Sequence, residues 1–261
     1  VTAIMQSSSL VSVLSISFVS ASLLSLAQGI GVMFGANLGN SAGSWLIAGV
    51  SGMKISALAL PLIVGGVLFN FQNAKSAKGV GQILIGIGFF FLGVGYIKDG
   101  FEEYKEVVDF AQYSMEGLRG VLLFVGLGAL MTAIVQSSHA TLTIIISAFA
   151  TGSLMYENAL AATLGTSVGG VMTALISSLG TNIDGKRLAV ANCIFNFGIA
   201  VLVIATFDYF VWINSTLSSL LDLSEESVLR IAVFHTLFNF VAVVLLLPLI
   251  PKISSFLERV L

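Results

Sequence analysis

The sequence predicts an all-α polytopic membrane protein. Of its 261 residues, 57% are hydrophobic and only 9% are charged, and the mean hydropathy is +1.03. A soluble domain carries about 25% charged residues. The uncharged runs are about as long as helical membrane spans, and the charged residues lie in the gaps between them. The runs are continuous and do not alternate between apolar and polar residues, which disfavours a membrane β-barrel.

Two polar stretches recur at a constant offset of 130 residues. Thr-Ala-Ile-Met-Gln-Ser-Ser-Ser at 2–9 returns as Thr-Ala-Ile-Val-Gln-Ser-Ser-His at 132–139. Gly-Ala-Asn-Leu-Gly-Asn at 35–40 returns as Gly-Thr-Ser-Val-Gly-Gly at 165–170. Because two separate motifs keep one spacing, we interpret the chain as two copies of one unit.

The predicted division has three parts. Residues 1–97 form a first transport repeat, 98–117 a charged linker, and 118–261 a second transport repeat with a C-terminal span. A long apolar run at 118–135 precedes the second motif, whereas the first motif begins at once. We therefore expect the first repeat to be incomplete at its N-terminus.

The first repeat contains four apolar segments in order. They are predicted at 10–26, 29–52, 57–71 and 80–96. The second of these is rich in glycine and polar residues and carries no charge. Such a segment faces lipid poorly, and irregular backbone at membrane depth must be shielded by protein. We therefore expect 29–52 to be a broken or re-entrant helix.

The second repeat contains five apolar segments. They are predicted at 118–135, 141–151, 160–176, 188–207 and 228–247. Loops are expected at 184–187 and at 208–227, which is acidic, and 252–259 is expected to be a polar tail. The charged run at 98–119 is expected to form an amphipathic surface helix.

The distribution of Lys and Arg predicts the orientation. The basic stretches at 75–78, 186–187 and 252–259 would face the cytoplasm, since cytoplasmic loops carry excess Lys and Arg. Five apolar elements then separate the two Gln-Ser-Ser motifs, and an odd number inverts the second copy. The sequence thus predicts two inverted-topology repeats with broken or re-entrant helices that meet at the membrane midplane, a plan common among secondary transporters.

The motifs offer hydroxyl, amide and glycine groups instead of charge. Residues 1–53 contain no Lys, Arg, Asp, Glu or His, and of these residue types 120–156 contain only His139. Hydroxyls and amides can donate to an anion or accept from a cation, and half-helix N-termini suit an anion. An anion at the midplane is costly without a neutralising charge. We therefore expect cation-coupled transport of a small polar or anionic solute.

The motifs resemble those of the type II sodium-dependent phosphate cotransporters and their bacterial relatives. That family has paired Gln-Ser-Ser-Ser motifs, each followed about 30 residues later by a Gly-[Ala/Ser]-Asn-[Ile/Leu]-Gly-Thr stretch. The matches are 6–9 with 35–39 and 136–138 with Gly165, Val168 and Gly169. Phe-Asn pairs at 69–70 and 195–196, and the string at 230–239, are also similar to the bacterial members.

The resemblance implies Na⁺-driven symport of inorganic phosphate by alternating access, in a multi-pass protein of the bacterial inner membrane that could be a homo-oligomer. It implies phosphate-site residues among the two motifs: Gln6, Ser7, Ser8, Ser9, Gln136, Ser137, Ser138 and His139. It implies Na⁺-site residues at Asn37, Thr166, Ser167 and Thr173. No cofactor is expected, and Na⁺ is the co-transported ion.

Four positions depart from the family pattern: Asn40, Ser167, Gly170 and His139. The imidazole of His139 has two interpretations: a neutral group hydrogen-bonded inside the bundle, or a group that contacts substrate or titrates near pH 6.5. The alternatives to a phosphate symporter are a symporter of another small solute and an ion channel. An enzyme is not expected, because the sequence shows no nucleophile–base pair, metal cluster or nucleotide loop.

Overall fold

The computed structural model describes residues 1–51, 56–104, 115 and 117–261, and within these ranges the chain is helical with no strand. The described α-helices, numbered in chain order, are α1 (Thr2–Met5), α2 (Ser8–Ser20), α3 (Leu26–Ser51), α4 (Ser56–Asn70), α5 (Lys75–Tyr104), α6 (Gly117–Val135), α7 (Ser138–Ala150), α8 (Tyr156–Ser178), α9 (Ile183–Ala205), α10 (Phe207–Leu220), α11 (Leu229–Leu246) and α12 (Ile250–Val260). A 3-10 turn, Leu247–Leu249, joins the last two.

Five helical segments among the described residues are long and apolar enough to cross a membrane. They are Lys75–Glu103, Gly117–Val135, Tyr156–Ser178, Ile183–Ala205 and Leu229–Val260. This confirms the prediction of an all-α polytopic protein. A chain with this many apolar helices is an integral membrane protein.

The helix breaks occur at the two Gln-Ser motifs. α2 and α7 have 13 residues each, or about 20 Å at 1.5 Å per residue, which is shorter than the hydrocarbon core of about 30 Å. Gln6 and Gln136 end the preceding helices with φ of 52° and 57°. A left-handed residue turns the chain out of a right-handed helix, so each glutamine marks a sharp break followed by a half-helix.

The offset of 130 residues extends from the motifs to the helices. α2 and α7 begin and end at equivalent positions. α3 and α8 also begin at equivalent positions. In the turns between them, Ser22 has φ of 57° and its counterpart Gly152 has φ of 73°. The two copies therefore share one local fold, whereas their inverted orientation and the domain boundaries stay predictions.

The expectation of a broken helix at 29–52 is wrong. α3 and α8 run without interruption through both glycine motifs. A Cβ on Gly165 would strike Val125 O, and one on Gly169 would strike Ala129 O. These glycines therefore let α8 lie against the backbone of α6, which is the use of small residues in membrane helix contacts.

Three expected loop or tail segments are helical instead. The acidic stretch contains α10, whose buried residues are Phe207, Phe210, Asn214 and Ser218. The polar tail is α12, with a buried Leu257. Residues 184–187 form the first turn of α9. Spacings of three and four residues bury one side of a helix. In α10 and α12 the polar residues lie on the other side, so these amphipathic helices resemble loops in the sequence.

The first turn of α9 has its own local support. Asn182 Oδ1 accepts from the N–H of Gly185 at 3.2 Å, and Arg187 pairs with Asp184 at 2.6 Å. An N-cap side chain and an ion pair three residues apart stabilise a helix start.

The predicted surface helix in the linker lies largely outside the described residues. Its beginning, from Lys98 to Tyr104, continues α5. Residues 105–114 and 116 are not described.

Candidate solute and ion site

A small polar cavity, here called the polar chamber, lies where α2, α3, α7, α8, α9 and α11 meet. Its lining residues are Ser8, Ser9, Ser12, Asn37, Asn40, Ser138, Thr166, Ser167, Gly170, Thr173, Ala174, Asn192, Asn196 and Asn239. Hydroxyls and amides form almost the whole wall, and none of these lining residues is ionisable. Each of these hydroxyl and amide groups can donate to an anion and offer an oxygen to a cation.

The chamber is sized for small species. The centre of a water molecule can move through about 30 Å³ of it, and one water needs about 10–15 Å³ by that measure. This small volume disfavours a large organic solute.

Two half-helices present their N-termini to the chamber. Ser8 and Ser9 begin α2, and Ser138 begins α7. The first N–H groups of a helix lack intrahelical acceptors, and the helix dipole places partial positive charge there. The motif thus brings two anion-attracting helix ends to one cavity without any charged side chain.

An asparagine cluster forms another part of the chamber wall. Asn37 donates to Asn192 Oδ1 at 3.1 Å, and Asn196 donates to the same oxygen at 3.0 Å. Asn239 donates to the His235 carbonyl at 2.9 Å. These bonds use the amide N–H groups, so amide oxygens of Asn37, Asn196 and Asn239 can accept from a solute or coordinate a cation.

Seven predicted site residues line the chamber. They are Ser8, Ser9 and Ser138 of the expected phosphate set, and Asn37, Thr166, Ser167 and Thr173 of the expected Na⁺ set. The hydroxyls of two of them already donate, Thr166 to Thr163 O at 2.8 Å and Thr173 to Gln136 Oε1 at 3.0 Å. A hydroxyl that donates keeps lone pairs for a cation.

The other five predicted residues lie beside the chamber and shape it. Ser7 and Ser137 cap the half-helices, each accepting from a backbone N–H at 3.2 Å, that of Leu10 and of Ala140. Gln6 and Gln136 donate from Nε2 to carbonyls three residues earlier, Ala3 O and Ala133 O. The glutamine side chains therefore close the same turn in both copies.

His139 is hydrogen-bonded inside the bundle. Its Nδ1 lies 3.0 Å from Gln6 O, and its Nε2 lies 3.2 Å from Asn40 O. The imidazole occupies the space beside Gly43, where a Cβ would strike Nε2 and stand 2.7 Å from Gln6 Oε1. Thr173 of the second copy is equivalent to Gly43, and Ser9 of the first copy is equivalent to His139. The two copies thus fill one space differently.

The sequence interpretation missed half of the chamber wall. Those lining residues are Ser12, Asn40, Gly170, Ala174, Asn192, Asn196 and Asn239. Asn196 and Asn239 both donate within their own helices, to Asn192 in α9 and to the His235 carbonyl in α11. The available signal was the spacing of Asn192 and Asn196, because residues four apart share a helix face. Asn70, in the other Phe-Asn pair, is exposed at the end of α4.

Comparison with known proteins places the chain among transporters. The family model described as Na+/Pi-cotransporter matches residues 1–99 and 112–223. The chain is 28% identical over 252 residues to "Uncharacterized protein YqeW" of Bacillus subtilis (strain 168). This match covers 95% of this chain and 78% of the relative. No solved structure matches the chain.

A second set of relatives carries a more specific name. The chain is 26% identical over 263 residues to "Putative inorganic phosphate export protein YjbB" of Escherichia coli (strain K12), and the match covers the whole chain. The protein of the same name from Salmonella typhimurium is also 26% identical to the chain, over 264 residues. The chain spans 46% of the length of each of these relatives. Because the family model covers most of the sequence, the chain belongs to the Na+/Pi-cotransporter family.

Proposed function

We propose that this protein is a secondary active transporter that couples the movement of inorganic phosphate to Na⁺ by alternating access. One observation carries the proposal: the N-termini of two half-helices meet at a small chamber lined by hydroxyls and amides. Family membership and the name of the export relatives both support phosphate as the solute.

The phosphate would bind at the half-helix ends. Ser8, Ser9 and Ser138 offer hydroxyl donors next to the unpaired N–H groups of α2 and α7. Phosphate oxygens at helix N-termini accept such bonds and gain from the helix dipoles. Ser7 and Ser137 would act by holding the half-helices in place.

Na⁺ would bind to oxygens of α3 and α8. Asn37, Thr166, Ser167 and Thr173 present amide and hydroxyl oxygens to the chamber, and hard cations prefer oxygen ligands. An anion and a cation in one chamber neutralise each other, which lowers the cost of placing either one at membrane depth. This mutual neutralisation is the physical basis of the proposed coupling.

Alternating access would follow from the repeat. Two copies with the same break and half-helix can exchange roles when one rocks against the other, as in inverted-repeat transporters. The name of the relatives favours a second candidate for direction, namely phosphate export. We propose that the Na⁺ gradient sets the direction, and that an inward gradient drives uptake in a bacterial cell membrane.

The test is transport of radiolabelled phosphate into liposomes that contain the purified protein. We expect saturable uptake under an inward Na⁺ gradient and none when choline replaces Na⁺. Uptake that ignores Na⁺ contradicts the coupling, and flux that does not saturate favours a channel.

Matched serine variants locate the site in the same assay. Ser9→Ala removes a chamber hydroxyl, whereas Ser17→Ala removes an exposed hydroxyl about two turns further along α2 that does not line the chamber. We expect the first to raise the KM for phosphate and the second to leave it unchanged. Equal KM values for both variants contradict the proposed site.

A further inference from the structure

The ring of His139 lies between two backbone carbonyls. Nδ1 is 3.0 Å from Gln6 O, and Nε2 is 3.2 Å from Asn40 O. A carbonyl oxygen only accepts hydrogen bonds, so both ring nitrogens must donate for both bonds to form. Neutral imidazole has one N–H and one lone pair, and would place that lone pair against an oxygen. Only the imidazolium ion satisfies both contacts.

Gly43 shows that the position is built for the ring. A Cβ at Gly43 would strike Nε2, so α3 has glycine where the imidazole packs. The second copy has Thr173 at the position equivalent to Gly43, and the first copy has Ser9 at the position equivalent to His139. Ser9 and Thr173 both line the polar chamber. The imidazole and the glycine therefore replace a pair of hydroxyls as a unit.

The ring is one residue away from the chamber at two points. Ser138, its neighbour in α7, lines the chamber, and so does Asn40, whose carbonyl faces Nε2. No lining residue of the chamber is ionisable, so a charge on His139 would dominate the local field. At short range and in a low dielectric, such a charge acts strongly on a bound ion.

The elements packed around α7 leave this charge without competitors. α3 has no ionisable residue, and α5 faces the ring with apolar residues, among them Phe90 and Val94. Lys98, the next charged residue of α5, donates to Ser51 O. In α6 the charged residue is Arg119, near the far end of that helix. In α8 the ionisable residues are Tyr156 and Glu157, in its first turn.

His235 of α11 is the remaining ionisable neighbour. It is fully buried, and neither ring nitrogen has a hydrogen-bond partner among the described residues. Its ring packs on Phe238 with centroids 5.2 Å apart. A buried charge without partners is costly, and its charge would repel one on His139. Of the two histidines, only His139 has a hydrogen-bond acceptor next to each ring nitrogen.

We propose that His139 binds a proton at the junction of the two motif copies. Its imidazolium ties the Gln6 turn to α3 and supplies the polar chamber with positive charge. The second effect rests on the proposed function, because it requires an anion in the chamber. Protonation would then strengthen phosphate binding as the pH falls.

The proton site is tested without transport. ¹⁵N NMR of the histidine side chains in lipid nanodiscs distinguishes imidazolium from either neutral tautomer. The sequence has only two histidines, so His235→Gln leaves the signal of His139 alone. If that variant does not fold, His139→Ser identifies the same signal by removing it from the wild-type spectrum. We expect an imidazolium signal within the range from pH 5 to 8, because both ring nitrogens face carbonyl oxygens. A neutral ring at every pH from 5 to 8 overturns the proposal.

The electrostatic effect is tested by phosphate binding. The ratio of affinities between the wild type and His139→Ser cancels the titration of phosphate itself. We expect a ratio of about 10 at pH 5.5, equivalent to about 1.4 kcal/mol, that falls towards about 1 at pH 8. A ratio that does not vary with pH overturns the charge effect.

A double variant provides the control for packing. The double variant His139→Ser, Gly43→Thr introduces the residue types that Ser9 and Thr173 have at the equivalent positions. It should match the thermal stability of the wild type but bind phosphate like His139→Ser. If the double variant recovers the pH-dependent ratio, the charge effect is wrong. If none of the proteins binds phosphate, the proposed function fails, and the NMR result still decides the proton site.

Discussion

Asn37 donates a hydrogen bond to Asn192 Oδ1 over 3.1 Å, and this bond joins α3 to α9 in the wall of the polar chamber. The same oxygen accepts from Asn196 at 3.0 Å. One amide oxygen thus accepts hydrogen bonds from donors in two helices. This shared acceptor connects α3 to α9 beside the chamber.

Replacing that acceptor should impair transport. Asn192→Ala leaves the partly buried amide of Asn37 without its partner, and the loss of a partner costs up to about 1–3 kcal/mol where the donor is fully buried. We expect the kcat/KM for phosphate uptake to fall at least about tenfold in liposomes. Cys193→Ala is the control, since Cys193 is adjacent in α9 but outside the chamber. Equal effects of the two variants would show that the shared acceptor is unimportant.

The capping serines should matter for stability. Ser7→Ala removes the side chain that accepts from the N–H of Leu10, and the loss of such a cap costs about 1 kcal/mol. We expect a lower midpoint of thermal unfolding in detergent for Ser7→Ala. Asparagine also caps well, so Ser7→Asn should keep the wild-type midpoint and retain phosphate uptake. Abolished uptake in a stable Ser7→Asn protein would instead support direct binding of phosphate by Ser7.

The contact between α6 and α8 should not tolerate a side chain at Gly165. A Cβ there would strike Val125 O and lie 2.9 Å from the backbone nitrogen of Ala129. Overpacking of this kind costs about 1–3 kcal/mol. We expect Gly165→Ala to lower the unfolding midpoint in detergent. Gly126→Ala is the control, because nothing lies within 4 Å of a Cβ at that position, and a comparable loss in the control would contradict the packing argument.

Arg230 should resist replacement by lysine. Its guanidinium is buried, lies over the ring of Tyr156 at 4.4 Å, and donates to Ser215 Oγ at 2.8 Å and to Glu225 O at 3.1 Å. A lysine ammonium cannot make this forked, stacked contact. We expect Arg230→Lys to lower the unfolding midpoint by several degrees, about the shift that 1–2 kcal/mol produces.

The control for Arg230 is a surface cation. Arg259→Lys changes an exposed residue at the end of α12 and should leave the midpoint unchanged. If Arg230→Lys behaves like this control, the ammonium is sufficient and the stacked geometry contributes little.

Local sequence signals predicted much of the helical framework. The last residue of α6, Val135, and the turn between α7 and α8 near Tyr156 were predicted to within a few residues, because apolar runs and breaks are local properties. The amphipathic helices α10 and α12 were missed, since their charged faces resemble loops. The expected break at 29–52 is wrong because glycine content alone does not distinguish a broken helix from a continuous one that packs closely, as the equivalent glycines of α8 do against the backbone of α6.

The chamber was predicted in part for a related reason. Ser8, Ser9 and Ser138 belong to motifs that recur, and the recurrence marked them as a pair of functional segments. Asn192 and Asn239 lie outside the recurring motifs, in apolar helices, where an amide is more often a link between helices. Nothing local distinguishes a buried amide that faces another helix from one that faces a cavity.

The sequence by itself determined that the protein is a helical membrane protein with two copies of a Gln-Ser-Ser unit. Composition and a constant offset are sufficient for both conclusions. The tertiary structure alone decided that the breaks fall at Gln6 and Gln136, that α9 and α11 complete the chamber, and that His139 bridges two carbonyls. These features depend on contacts between residues as many as 194 positions apart, and such contacts exist only once the helices have packed.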